Sequence, residues 1–182
     1  PTFQQINTSI LRRMVNGMKQ EGHPYKGVIY AGLMLTDTGP MALEFNARFG
    51  DPETQPLMML LSSDLAPILY ACIEGTLKPE MVTFRDGAAV CVVLAEKGYP
   101  DNPHRGTIIH GLNTIQDPNI QVFHAGTIVR NGQIVTNGGR VLGITAWADD
   151  LPTARERAYS VIGPHGIYFD GMQYRTDIAK GL

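Results

Sequence analysis

Apolar residues recur at three- and four-residue spacing near the start of the chain: Ile6, Ile10, Leu11, Met14, Val15 and Met18, with Gln5, Arg12, Arg13 and Lys19 between them. This periodicity predicts an amphipathic helix that stops near Gly22 and His23-Pro24. The pattern then changes to β-type runs, YKGVIYAGLML (25–35) and MALEFN (41–46), separated by the turn formers Thr36-Asp37-Thr38-Gly39-Pro40. Two strands with a short connection predict an antiparallel hairpin. LMMLLSSDLAPILYACIEG (57–75) predicts two helices broken at Ser62-Ser63, with Ser63 as an N-cap and Pro67 in or near the first turn that follows. From Thr76 the chain reads as short strands at 88–95, 120–129, 133–137 and 140–148, then a helix over 152–162. Asn131-Gly132 marks a tight hairpin between two of those strands. The expected fold is α+β, with residues 1–78 forming one piece and 79–182 a β-rich unit.

Composition narrows the functional classes. The chain has 182 residues, 43% of them hydrophobic, enough to bury a sizeable core. A net charge of −2 supplies no basic field for nucleic acid, and no apolar run approaches the roughly 20 residues of a membrane-spanning helix. Cys72 and Cys91 sit in apolar surroundings without metal-type spacing, which fits a reducing cytoplasm. No signal peptide is visible, and the sequence opens at Pro1, not Met, directly into a helical pattern, so an excised fragment is expected.

The chemistry concentrates in MALEFNARFGDPETQ (41–55). Alternate residues of a strand share a face, so Glu44 and Asn46 point one way and Leu43 and Phe45 the other. Their Cα atoms stand about 6.6 Å apart, close enough for a carboxylate and an amide oxygen to reach one hard cation and leave its other positions to water and phosphate. Arg48 adds a planar cationic fork suited to phosphate or carboxylate. Asp51-Pro52 and Thr54 with Pro56 both have the form of helix starts, and a helix N-terminus favours anions. A cation site, a guanidinium and a helix tip within a dozen residues point to phosphoryl transfer. The plainer alternative is the solvated face of an edge strand followed by a capped, salt-bridged loop.

EFNARFGDPETQ resembles the signature segment of phosphoribosylamine–glycine ligases, which are ATP-grasp enzymes of purine biosynthesis. The likeness continues in YKGVIYAGLML, HGL (110–112), VFHAGT (122–127), NGGRVLGITA (137–146) and YRTDIA (174–179), in the family's order. It implies the end of an ATP-grasp catalytic domain (1–78) followed by a small β-rich carboxy-terminal domain (79–182). It further implies that ATP, glycine and 5-phosphoribosylamine give glycinamide ribonucleotide, ADP and phosphate through a glycyl phosphate. Glu44 and Asn46 match the Mg2+ or Mn2+ ligands, and Arg48 and Asp51 match the Arg-Phe-Gly-Asp-Pro-Glu segment. Arg48 is assigned to steadying the transferred phosphoryl group, and Asp51 to placing the glycine ammonium or shaping the loop. Gly138, Gly139 and Arg140 are assigned to the ribose phosphate, with an ordinary hairpin turn as the alternative.

Two departures stand out. Many ATP-grasp members carry a further acidic ligand about a dozen residues before the Glu-x-Asn pair, where this chain has Ala31-Gly32-Leu33. The family's chain is also more than twice this length. The missing amino-terminal part is expected to bind phosphoribosylamine and clamp ATP, so the chain alone is expected to fold without catalysing.

A non-catalytic assembly module of a larger ATP-grasp enzyme is the alternative function. An open Glu44/Asn46 face favours the ligase and a buried one the module. A different ATP-grasp ligase, such as a carboxylase subunit, would share the Glu-x-Asn pair without the Gly-Asp-Pro-Glu-Thr-Gln that follows it here. His110 and His124 either line a cleft or are strand histidines satisfied locally, and His23, His104 and His165 adjoin prolines in loops.

Overall fold

The computed structural model describes residues 2–181. The chain divides into two compact units. One comprises the residues up to Gly50 together with Ser63–Thr83, and the other comprises Asp51–Ser62 together with the residues from Phe84 onward.

In the first unit, helices α1 (Thr2–Ile6) and α2 (Arg12–Gln20) are joined through a π-helical turn at Asn7–Leu11. Strands β1 (Tyr30–Thr36) and β2 (Gly39–Asn46) form the expected antiparallel hairpin. The turn is tighter than the five loop residues predict. Thr36 pairs with Gly39, leaving only Asp37 and Thr38 between the strands, and the Thr36 hydroxyl donates to the Gly39 carbonyl at 2.8 Å. Helix α4 (Leu65–Glu74) is capped by Asp64, whose carboxylate accepts from the Ala66 N–H at 2.9 Å. Ser63 does not cap it. Ser63 lies one residue outside the cap position, and its hydroxyl instead accepts from the Thr83 N–H at 2.6 Å.

The second unit is built on a three-stranded antiparallel sheet of β3 (Ala88–Ala95), β7 (Arg140–Ala148) and β4 (Ile120–His124), with β7 in the centre. The predicted strand over 120–129 is interrupted at Ala125-Gly126. Its second half, β5 (Thr127–Arg130), pairs instead with β6 (Gln133–Thr136) across Asn131-Gly132, both at positive φ as a two-residue hairpin requires.

Burial explains why the β7 sequence, RVLGITAWA, is apolar almost without interruption: both faces of the sheet are covered. Helix α5 (Leu151–Ser160) lies on one face, placing fully buried Ala154 and Ala158 among Val92, Leu94, Leu142, Ile144 and Ala146. Helix α3 (Thr54–Leu60) covers the other, where Gln55 lies over Gly143. This packing assigns residues 51–62 to the β-rich unit, ahead of the chain's return to the first one.

The start of α5 carries a pH-dependent cap. Asp150 accepts from the Thr153 N–H at 2.7 Å, and that bond holds its carboxyl below the ordinary carboxylate range. A depressed folded-state pKa gives stability that is complete above the unfolded value and is lost as pH falls through the folded one. Asp150→Ala is therefore expected to lower the Tm at neutral pH and to flatten the acid limb of the Tm–pH curve. Parallel curves for the variant and the wild type would contradict this reading.

Candidate active site

Glu44 and Asn46 share a face of β2, as the alternation requires, and their head groups meet: the Asn46 amide donates to Glu44 Oε1 at 3.0 Å. Glu44 is exposed and Asn46 half-buried. The contact uses the amide N–H and leaves the Asn46 carbonyl oxygen and the second carboxylate oxygen as hard donors on the same side. Opposite Glu44 in the register stands Gly32, and a Cβ there would come within 3.0 Å of Glu44 Cγ. The absence of an acidic side chain in the Ala31-Gly32-Leu33 stretch thus has a steric reason at Gly32: Glu44 occupies that space. Asn46 also borders an apolar hollow of about 150 Å³ lined by Met14, Met18, Tyr25 and Phe45 among others. Arg48 is exposed and turned back on the chain, with Nη1 donating to the Phe49 carbonyl at 2.9 Å.

The second unit brings together two residues 89 positions apart. Arg140, at the start of β7, donates through Nη1 to the Asp51 carbonyl at 2.8 Å and pairs through Nη2 with Asp51 Oδ2 at 3.2 Å. Gln55, one turn along, donates to Asp51 Oδ1 at 3.3 Å. The DPETQ segment is therefore docked along β7, with Asp51 on Arg140 and Gln55 on Gly143.

The expected helix start takes a different form. Helix α3 has only seven residues, its N-cap position is Glu53 without a side-chain cap bond, and Asp51 spends its carboxylate on Arg140 and Gln55 rather than on the helix end. So short a helix has too small a dipole to serve as the anion site. The positive group at this place is the Arg140 guanidinium.

Gly138 and Gly139 are fixed by close approach. A Cβ on Gly138 would lie 3.1 Å from Gly126 Cα, and one on Gly139 would lie 2.3 Å from the Tyr99 ring. The turn is thus pressed flat against Tyr99 and delivers Arg140 at its end. Beside it is a hollow of about 340 Å³ lined by Val93, Ala95, Tyr99, Arg140, Gln173, Tyr174 and Arg175.

The sequence reading missed two residues that build this region. Gln55 lies inside the quoted signature and reveals its role only once α3 is seen on β7. Glu96 is fully buried and follows eight apolar residues of β3. Its carboxylate accepts from the Thr107 hydroxyl at 2.5 Å, the Thr136 hydroxyl at 2.9 Å and the Lys97 N–H at 3.0 Å, while its own N–H donates to the Gly139 carbonyl at 2.8 Å. An acid at the end of an apolar strand was the available signal.

Burial pushes the Cys91 thiol up, and the Thr145 hydroxyl beside it pulls slightly the other way. The histidines take their local roles: His110 stacks on Tyr168 with ring centroids 4.8 Å apart, and His124 Nδ1 meets the Thr127 hydroxyl at 3.1 Å. Among the described residues there is no cluster of three or more His, Cys, Asp or Glu suited to a metal ion. No helix among these residues is long and apolar enough to cross a membrane.

Residues 89–181 match the model of the phosphoribosylglycinamide synthetase C domain, and residues 1–54 that of the same enzyme's ATP-grasp (A) domain. The chain belongs to the phosphoribosylglycinamide synthetase family. It is 49% identical over 180 residues to the phosphoribosylamine–glycine ligase of Caldanaerobacter subterraneus, covering 99% of this chain and 42% of that relative. The crystal structure of phosphoribosylamine–glycine ligase from Thermotoga maritima superposes with a TM-score of 0.81 at 36% identity, over 97% of this chain and 42% of that one. The chain thus spans about two-fifths of the length of these synthetases. The biotin carboxylase domain of a Hydrogenobacter thermophilus 2-oxoglutarate carboxylase shares the fold, with a TM-score of 0.61 at 18% identity over 88% of this chain and 35% of that one. In synthetase terms, the Glu44–Asn46 pair and Arg48 fall in the ATP-grasp match, and Arg140 with its glycine turn falls in the C-domain match.

Proposed function

We propose that this chain is the carboxy-terminal part of a phosphoribosylamine–glycine ligase, comprising the end of its ATP-grasp domain and its β-rich domain. It acts in the cytoplasm with ATP, glycine and 5-phosphoribosylamine. The observation that carries this reading is the meeting of Glu44 and Asn46 on an open strand face. Their oxygens are of the kind that hold Mg2+ or Mn2+, and an assembly module would have no need to keep that face clear. A divalent ion bound there would neutralise charge on the ATP phosphates.

The residues of this chain then divide the work. Glu44 and Asn46 would hold the divalent ion that neutralises the nucleotide phosphates, and Arg48 leaves the Phe49 carbonyl to steady the transferred phosphoryl group. A glycine carboxylate oxygen takes the γ-phosphoryl of ATP, releasing ADP. The amine of phosphoribosylamine attacks the acyl carbon, the C–N bond forms, phosphate leaves with the C–O electron pair, and the amine gives up a proton. Asp51 shapes the loop and offers its carboxylate to the glycine ammonium, while Arg140, delivered by Gly138-Gly139, receives the ribose phosphate. The amino-terminal remainder of the ligase supplies the ATP clamp.

The test is to join the chain to that remainder and assay ADP release. The completed chain is expected to sustain repeated turnover of ATP to ADP only when both glycine and phosphoribosylamine are present, and the 182-residue chain alone to release none. Turnover by the isolated chain, or ADP release that ignores glycine, would overturn the proposal.

A further inference from the structure

Glu96 is fully buried and does not itself line the hollow beside Arg140, yet it follows β3 directly and is bonded to the other stretches that do. Its N–H donates to the Gly139 carbonyl at 2.8 Å, one residue before Arg140. Its carbonyl accepts from the Tyr99 N–H at 3.1 Å and from the Gln173 side-chain amide at 3.1 Å. Gln173 also pairs with Ala95 through the backbone in both directions, at 2.8 and 2.9 Å.

The carboxylate holds the far end of the same turn. The Thr136 hydroxyl, four residues before Arg140, donates to Glu96 Oε1 at 2.9 Å, and the Thr107 hydroxyl donates to the same oxygen at 2.5 Å. The Thr136 oxygen accepts from the Thr107 N–H at 3.1 Å, which leaves its proton for the carboxylate. Oε2 accepts from the Lys97 N–H at 3.0 Å. Three donors thus converge on one side chain, and only a group that accepts on both oxygens satisfies them all. Thr136 is fully buried as well, and hydrogen bonds to a carboxylate in such surroundings are strong and directional. One residue therefore clamps the turn at both ends, at Thr136 through its side chain and at Gly139 through its backbone.

Resting on the ligase reading above, we propose that Glu96 is a positioning residue for the amine-binding step: it places Arg140 through the Thr136–Gly139 turn and touches no reacting atom. Glu44, Asn46 and Arg48 belong to the other compact unit, so a change at Glu96 falls on the group assigned to phosphoribosylamine and spares those assigned to phosphoryl transfer. Glu96 then has a kinetic role beyond the stability its burial implies.

The test is steady-state kinetics of the completed ligase with each substrate varied in turn. Glu96→Gln keeps the side-chain volume and replaces one acceptor oxygen by a donor. It is expected to raise the KM for phosphoribosylamine about tenfold, the scale of one hydrogen bond to a charged group. The KM for glycine should rise less, through the Asp51 carboxylate that shares Arg140, while the KM for ATP and the kcat stay unchanged. Thr136→Val is expected to reproduce the phosphoribosylamine effect and Thr136→Ser to recover most of it. Asp150→Ala destabilises the same unit without touching the turn and is expected to leave every KM alone. Circular dichroism at the assay temperature verifies that each variant is folded. In the 182-residue chain without substrates, Glu96→Gln should move the Arg140 Nε–H resonance and Asp150→Ala should not. An unmoved phosphoribosylamine KM, an equal rise for all substrates, the same rise in Asp150→Ala, or an unmoved Arg140 resonance would each overturn the proposal. A completed wild-type chain without glycine-dependent ADP release would overturn the ligase reading instead, and the resonance would still decide whether Glu96 places Arg140.

Discussion

Glu44→Ala in the completed ligase is expected to lower glycine-dependent ADP release at least about a hundredfold, with a higher Mg2+ requirement. Loss of groups that merely support a metal's ligands costs about 10- to 100-fold, so a direct anionic ligand sits at or above the top of that range. The exposed position of Glu44 keeps stability out of the comparison: its carboxylate is bonded to Asn46 on the open face and not to the core. Asn46→Ala should cost less, about tenfold, because it removes a neutral donor and leaves the charge. The ordering of the two variants matters. If Asn46→Ala were the more damaging, Asn46 would be acting through the apolar hollow it borders and the shared-cation assignment would fail.

Glu96→Ala is expected to destabilise the β-rich unit by about 3 kcal/mol, a larger effect on folding than loss of the Asp150 cap. Removal of the carboxylate strands the Thr107 and Thr136 hydroxyls and the Lys97 N–H, all bonded to it now, at a cost of about 1–3 kcal/mol for each group left without a partner. Rotating hydroxyls recover part of that sum, and the cavity left by the side chain adds to it. For a chain of this size the loss corresponds to a fall in Tm of roughly 6–12 °C. Glu96→Gln should be milder, since its amide oxygen still accepts one hydroxyl. Its NH2 group, however, faces a donor. Urea denaturation of both variants, monitored at Trp147, provides the check; a loss below about 0.5 kcal/mol in Glu96→Ala would mean that the Thr107 and Thr136 hydroxyls find other partners without cost.

Much of this architecture is legible in residue order because local rules decide it. Alternation on β2 places Glu44 with Asn46, Asn131-Gly132 dictates a two-residue hairpin, and a mostly apolar β7 fits a strand covered on both faces. The family segments add the chemistry that no periodicity contains. What local rules miss is set by partners far along the chain. Asp51 has the look of a helix cap, yet a guanidinium 89 residues away claims it, because a charge-assisted pair outbids a single backbone N–H. Ser63 and Asp64 both have capping side chains, and the choice between them is made by the Thr83 N–H that occupies Ser63. Gly32 reads as a missing ligand until the register sets Glu44 above it. Glu96 looks like a surface acid after a strand, and only the arrival of Thr107 and Thr136 makes its burial tolerable.

The most direct measurement is paramagnetic broadening of this chain's backbone amide resonances by substoichiometric Mn2+ with ATP. The account predicts the strongest broadening at residues 43–47 and its disappearance in Glu44→Gln. Broadening centred elsewhere, or unchanged in that variant, would contradict it.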